Sequence, residues 1–107
     1  MLIVETSVFT RAVTRLLSDE SYRKLQTVLL DDPEVGDRIQ GSGGLRKVRW
    51  GGEGRGKRGG VRVIYMCIER RELLLMLLMY SKNEQSDLTP EQLRILKKVV
   101  DQEFGNG

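Results

Sequence analysis

The chain has no histidine, a single cysteine (Cys67), two prolines and one tryptophan among its 107 residues. Without histidine and with one thiol, an internal disulfide, nearly every zinc site and every histidine-based catalytic dyad are excluded. Chemistry here falls to lysine, arginine, tyrosine, serine or carboxylates. Long apolar runs are missing as well. The longest, Leu73 to Tyr80, falls far short of the roughly 20 residues a membrane-spanning helix needs. The opening Met1-Leu2-Ile3-Val4-Glu5 meets an acid at once and has neither a basic stretch nor a small-residue cleavage site, so the expected location is the cytoplasm.

What the chain does have is charge placed unevenly. Eighteen basic and fifteen acidic residues give a net charge of +3. Between Arg46 and Arg62, seven basic residues (Arg46, Lys47, Arg49, Arg55, Lys57, Arg58, Arg62) meet one acid, Glu53; this stretch carries +6 and the rest of the chain −3. Nine of the twelve glycines fall between Gly41 and Gly60, which concentrates backbone freedom where the positive charge sits. The length fits one domain, residues 1–107.

Met1 to Thr6, with β-branched Ile3 and Val4, reads as an opening strand. Val8, Phe9, Ala12, Val13, Leu16 and Leu17 recur at helical spacing behind a cap at Thr6 or Ser7. Ser18 caps a second helix, whose Tyr22, Leu25, Val28 and Leu29 share a face and which stops before Pro33. Leu45 to Trp50 alternates, with Arg46, Val48 and Trp50 on one side and Leu45, Lys47 and Arg49 on the other. Val61 to Ile68 is the next strand. Past the polar turn Glu69-Arg70-Arg71-Glu72, the run Leu73 to Met79 is apolar on both faces and reads as a central strand. Thr89-Pro90-Glu91-Gln92 opens a helix striped by Leu93, Leu96, Val100 and Phe104 and ended by Gly105. The order predicts an α+β domain: an antiparallel sheet of about four strands with an N-terminal helical hairpin and a C-terminal helix.

Two motifs in the glycine-rich stretch match by accident. Gly54-Arg55-Gly56-Lys57-Arg58-Gly59 satisfies G-x-G-x-x-G, but a strand follows where a dinucleotide site needs a helix N-terminus. Gly51 to Lys57 begins a P-loop, yet Arg58 stands where a Ser or Thr would hold magnesium. Interleaved glycine, arginine and lysine suit a polyanion, nucleic acid above all, because the backbone can approach phosphate while the side chains supply charge. A solvated hairpin loop that aids solubility is the plainer alternative. Continuity favours the first: Lys47 and Arg49 precede the loop on one strand face and Arg62 follows it. Arg62 shares a face with Ile64, Met66 and Ile68, where an arginine is either ion-paired or placed at a site. Its sequence neighbours are cations, which favours a site. Cys67 reads as a small core residue, Trp50 as a core or rim residue and the methionines as sheet packing.

Gly43-Gly44-Leu45-Arg46-Lys47-Val48-Arg49, Gly56-Lys57-Arg58-Gly59-Gly60-Val61-Arg62-Val63-Ile64-Tyr65 and Tyr80-Ser81-Lys82-Asn83-Glu84-Gln85-Ser86-Asp87-Leu88 together resemble the signatures of RelE/HigB-type toxins. The resemblance spans nearly the whole chain and is strongest to the HigB-like branch of the RelE/ParE superfamily. It implies a RelE-like fold and the toxin of a type II toxin–antitoxin pair: a metal-independent, ribosome-dependent endoribonuclease that cleaves translated mRNA in the A site and so inhibits translation. No cofactor is implied. The implied reaction is attack of a ribose 2′-hydroxyl on the adjacent phosphate, leaving a 2′,3′-cyclic phosphate and a 5′-hydroxyl. By position, Arg62 and Arg55 would hold the phosphate, and Lys57 or Lys82 would fill an acid/base role, which a lysine can do only if neighbouring cations and partial desolvation favour its neutral form. Lys47, Arg49, Arg58, Tyr80 and Asn83 would contact RNA or the ribosome. The chain departs from relatives with a Tyr, His or second Arg late in the site: Asn83 occupies one such position, and neither Tyr nor His occurs after Tyr80. The general base is therefore open. Implied partners are the ribosome, mRNA and a cognate helix-turn-helix antitoxin, with the free toxin a monomer and no membrane involved. Two other readings share these features: a ParE-type toxin acting on DNA gyrase, and an RNA-binding module without catalysis.

Overall fold

The computed structural model describes residues 1–51 and 60–104. Local capping sets where each helix begins. Thr6 Oγ1 accepts from the Phe9 amide at 3.0 Å and starts α1 (Ser7–Leu16); Ser18 Oγ accepts from the Ser21 amide at 3.0 Å and starts α2 (Asp19–Asp31). At α3 (Pro90–Phe104) the box is reciprocal: Thr89 Oγ1 accepts from the Gln92 amide, and Gln92 Oε1 from the Thr89 amide, both at 3.0 Å. Each cap satisfies an amide the helix cannot, a contribution of about 1 kcal/mol. No described helix is long and apolar enough to cross a membrane.

The strands are β1 (Leu2–Glu5), β2 (Asp37–Arg38), β3 (Arg46–Trp50), β4 (Val61–Ile68) and β5 (Leu73–Ser81), in the spatial order β1-β5-β4-β3-β2. The α+β class and element order are those expected, and the sheet itself differs in two ways. It is mixed, because β1 runs parallel to β5, with Leu2 opposite Leu73 and Glu5 opposite Met76. That direction lets the chain pass straight from β1 into α1, which packs on β5. It also has five strands, since Asp37 and Arg38 add a two-residue edge opposite Lys47 and Arg46. Two exposed polar residues carry no periodicity to announce a strand.

The sheet separates two cores. Phe9, Leu25, Leu29, Val63, Tyr65, Leu74 and Met76 lie under the helical hairpin, while Leu45, Ile64, Leu75, Leu77, Leu96 and Val100 lie under α3. This double burial explains why β5 is apolar on both faces. Within the hairpin, Ser21 is buried and accepts the Trp50 indole N–H at 2.9 Å, whereas Val28 stays partly exposed. Trp50 is thus a rim residue, as its position at a strand end suggests.

One irregularity changes which residues share a face. Ile64 pairs with Leu78 but Tyr65 with Met76, leaving Leu77 as an extra residue in β5. Strict alternation would place Tyr80 with Leu74 and Met76 under the hairpin. The bulge turns it to the α3 face, opposite Arg62.

Tyr65 anchors the segment before β3. Its hydroxyl donates to the Pro33 carbonyl at 2.8 Å and accepts from the Gly36 amide at 2.9 Å. A Cβ on Gly36 would fall 2.9 Å from the Tyr65 ring and hydroxyl, so the close approach requires glycine. Tyr65→Phe strands a buried amide and is expected to lower the unfolding free energy by about 1–3 kcal/mol, read as a shift of the urea midpoint at unchanged slope.

Candidate functional site

The α3 face of the sheet is apolar where α3 covers it and basic beyond. Alternation along β3 puts Lys47 and Arg49 on this face with Leu45. Register then sets Lys47 opposite Ile64, Arg49 opposite Arg62, and Arg62 opposite Tyr80 on β5. Three consecutive strands thus present Arg49, Arg62 and Tyr80 in a row. Arg49 is exposed, Arg62 half-buried and Tyr80 only 3% exposed.

Like charges directly opposite each other on a sheet repel and ordinarily reduce stability by a few tenths of a kcal/mol. Among the described residues, neither Arg49 nor Arg62 forms an ion pair or a side-chain hydrogen bond. Two arginines opposed in register and without an ion pair suit an incoming anion with several oxygens. Arg46, on the opposite face, is used structurally and donates to the Glu34 and Gly36 carbonyls at 3.2 and 2.7 Å.

Lys47 differs from the free cation anticipated. Its Nζ donates to Asp87 Oδ1 at 3.0 Å, and the same oxygen accepts from the Leu88 amide at 2.7 Å. The hydrogen bond from Lys47 and that from the Leu88 amide hold the Asp87 carboxyl below its ordinary range, with a smaller contribution from the charge on Arg62. Lys47 is two-thirds buried and Asp87 largely exposed. Sequence reasoning missed Asp87 as a site residue, because the pair lies 40 residues apart and no periodicity links them.

Lys82 and Asn83 are exposed in the turn after β5. The Lys82 amide bonds the Gly60 carbonyl at 3.4 Å, which places this turn beside the end of the glycine-rich stretch. Glu84 is occupied by Arg15 at 2.7 Å and by the Ser81 amide at 3.1 Å. Arg55, Lys57 and Arg58, the glycine motifs and the helix stop at Gly105 lie outside the described residues.

Tyr80 carries the one buried side-chain polar atom among the described residues that has no hydrogen-bond partner. The Leu88 amide donates to Asp87 at 2.7 Å and lies close enough to the Tyr80 oxygen to oppose the rise of its pKa, but it offers the hydroxyl proton no acceptor. Desolvation raises the phenol pKa and Asp87 adds to it, while Arg62 opposes. Tyr80 therefore holds its proton at neutral pH, with no acceptor to give it to. Cys67 is half-buried, and burial followed by the charges of Glu69 and Glu34 pushes its thiol up, away from nucleophilic character. Among the described residues no group of three His, Cys, Asp or Glu side chains could hold a metal ion.

No family model matches the chain. A solved structure of the Escherichia coli toxin RelE, a double arginine-to-alanine mutant in the free state, superposes with a TM-score of 0.58, covering 79% of this chain and 86% of that one. The fold is RelE-like. At 11% identity the likeness to RelE concerns the backbone alone.

Because the folded Asp87 pKa is depressed, its ion pair contributes stability above the ordinary carboxylate pKa of 3.8 and loses it as pH falls below that value. Asp87→Asn is expected to reduce stability by at most about 1 kcal/mol at neutral pH, as for exposed pairs. The difference from wild type should vanish towards pH 2 and shrink in high salt, measured by urea denaturation across pH. A difference independent of both would contradict the assignment.

Proposed function

We propose that this protein is the toxin of a type II toxin–antitoxin pair and acts as a ribosome-dependent mRNA endoribonuclease in the cytoplasm. The observation that carries the reading is the pair Arg49 and Arg62, opposed in register and without ion pairs among the described residues, inside a glycine-rich stretch that carries +6. A phosphodiester undergoing attack gathers charge on its non-bridging oxygens, and fixed cations aimed there lower the barrier. In this reading Arg62 and Arg55 hold the scissile phosphate and Arg49 adds to the field. Lys57 or Lys82 takes the proton of the attacking 2′-hydroxyl. Lys47, Arg58 and Asn83 line the path of the message or touch ribosomal RNA, whereas Tyr80, only 3% exposed, lies beneath that surface instead of on it as expected. The RelE-like backbone supports the reading, and so do the three sequence signatures.

A cognate antitoxin, with a helix-turn-helix DNA-binding domain, is part of the proposal, as is a monomeric free toxin. The reaction is metal-independent: 2′-hydroxyl attack gives a 2′,3′-cyclic phosphate and a 5′-hydroxyl, with the chain's own cations meeting the charge.

Primer extension on a translated message, with and without ribosomes, tests the proposal. New 5′ ends inside the reading frame are expected only with ribosomes, and Arg62→Ala should slow their appearance about 10²–10³-fold, the loss typical of removing one fixed donor. Single alanine variants at Lys57 and Lys82 locate the base; wild-type rates in both would remove lysine from that role. No new ends under any condition would overturn the nuclease reading and leave gyrase inhibition or plain RNA binding, separated by a supercoiling assay.

A further inference from the structure

A buried hydroxyl with no partner is expensive, since water is lost and nothing replaces it. Phenylalanine would fill the same space at Tyr80 without that penalty. The chain nevertheless carries a hydroxyl here, and the β5 bulge turns it from the hairpin core to the α3 face, opposite Arg62, which forms no ion pair among the described residues. We propose that Tyr80 is the catalytic proton donor to the departing 5′-oxygen, an inference that rests on the ribonuclease reading. In this step the 2′-oxygen forms its bond to phosphorus, and its proton passes through the lysine base to solvent. The phosphorus–5′-oxygen bond breaks, its electron pair stays on the 5′-oxygen, and the Tyr80 hydroxyl hands that oxygen a proton. The phenolate recovers a proton from water, so the enzyme returns to its starting state. A phenol held protonated by its dry surroundings suits a donor rather than a base.

In the free protein Leu88 packs on the core that holds Tyr80, and the charge of Asp87 acts on the buried hydroxyl. That segment is held by the Gln85 side chain, which donates to the Asp87 carbonyl at 2.8 Å, by the packing of Leu88, and by the ion pair of Lys47 with a largely exposed Asp87, which also feels Arg62. An incoming phosphate is drawn to the same two cations. It displaces the carboxylate, frees the Leu88 amide and uncovers Tyr80 where the leaving oxygen arrives. The carboxylate thus stands in for the substrate until the substrate comes.

Tyr80→Phe tests this in three measurements. First, thermal unfolding should show a midpoint equal to or above wild type, because no hydrogen bond is lost; a clear drop would mean the hydroxyl has a structural partner and would overturn the proposal. Second, single-turnover cleavage of a ribosome-bound message should fall about 10²-fold or more, the usual contribution of a general acid, with ribosome affinity unchanged; cleavage within twofold of wild type overturns it. Third, on a message whose scissile 5′-oxygen is replaced by sulfur, a leaving group that needs no proton, Tyr80→Phe should cleave at the wild-type rate while Arg62→Ala stays slow. A defect of Tyr80→Phe that persists on the sulfur substrate removes Tyr80 from the donor role. If wild type cleaves the normal message and Tyr80→Phe does too, only this assignment fails; if wild type cleaves nothing, the ribonuclease reading fails first.

Discussion

The extra residue in β5 decides what the basic face can contain. A strand buried on both sides has little freedom to slip, because a one-residue shift exchanges its two sets of side chains between unlike cores. Here Leu77 makes that exchange once, locally and inside a ladder that is otherwise regular: Leu74 and Met76 stay under the hairpin, Met79 returns there, and Leu78 and Tyr80 turn towards α3. The row Arg49, Arg62, Tyr80 exists only because of it. Bulges are common where a strand has to re-aim a side chain beside a site.

The molecule treats its polar groups in two different ways. Away from the basic face they are matched: Tyr65 both donates and accepts, Tyr22 donates to Glu5 at 2.6 Å, and the Trp50 indole finds Ser21. On the basic face two arginines oppose each other and a tyrosine hydroxyl lacks an acceptor. A chain of this size has a stability of only several kcal/mol, so unfavourable local terms concentrated on one face are informative. Natural proteins hold such terms where binding relieves them.

Much of this was legible in the residues. The caps at Thr6, Ser18 and Thr89 are written in short-range hydrogen-bonding chemistry, and the apolar stripes of α1, α2 and α3 follow from helical spacing. The alternation of Leu45 to Trp50 placed Lys47 and Arg49 on one face, and that of Val61 to Ile68 placed Arg62 beside Ile64; the register brings those faces together. Three features were not legible. A run of eight apolar residues hides its own alternation, so neither the bulge nor the orientation of Tyr80 could be read. The direction of β1 depends on a pairing with residues about 70 positions away. The capture of Lys47 by Asp87 is likewise a product of tertiary approach, invisible to any local pattern.

The pairing of β1 with β5 also has a consequence during synthesis. Thr6 Oγ1 bonds the Leu77 carbonyl across 71 positions, and α1 packs on β5. Until the ribosome has released residues 73–81, the first strand has no neighbour and the hairpin covers half a core. Contacts between distant parts of a chain form late, and Arg62 gains its neighbour Tyr80 in the same event. A nascent chain therefore has its positive charge long before it has the arranged face, and a truncated product ending before β5 carries the basic stretch without the geometry that would direct it.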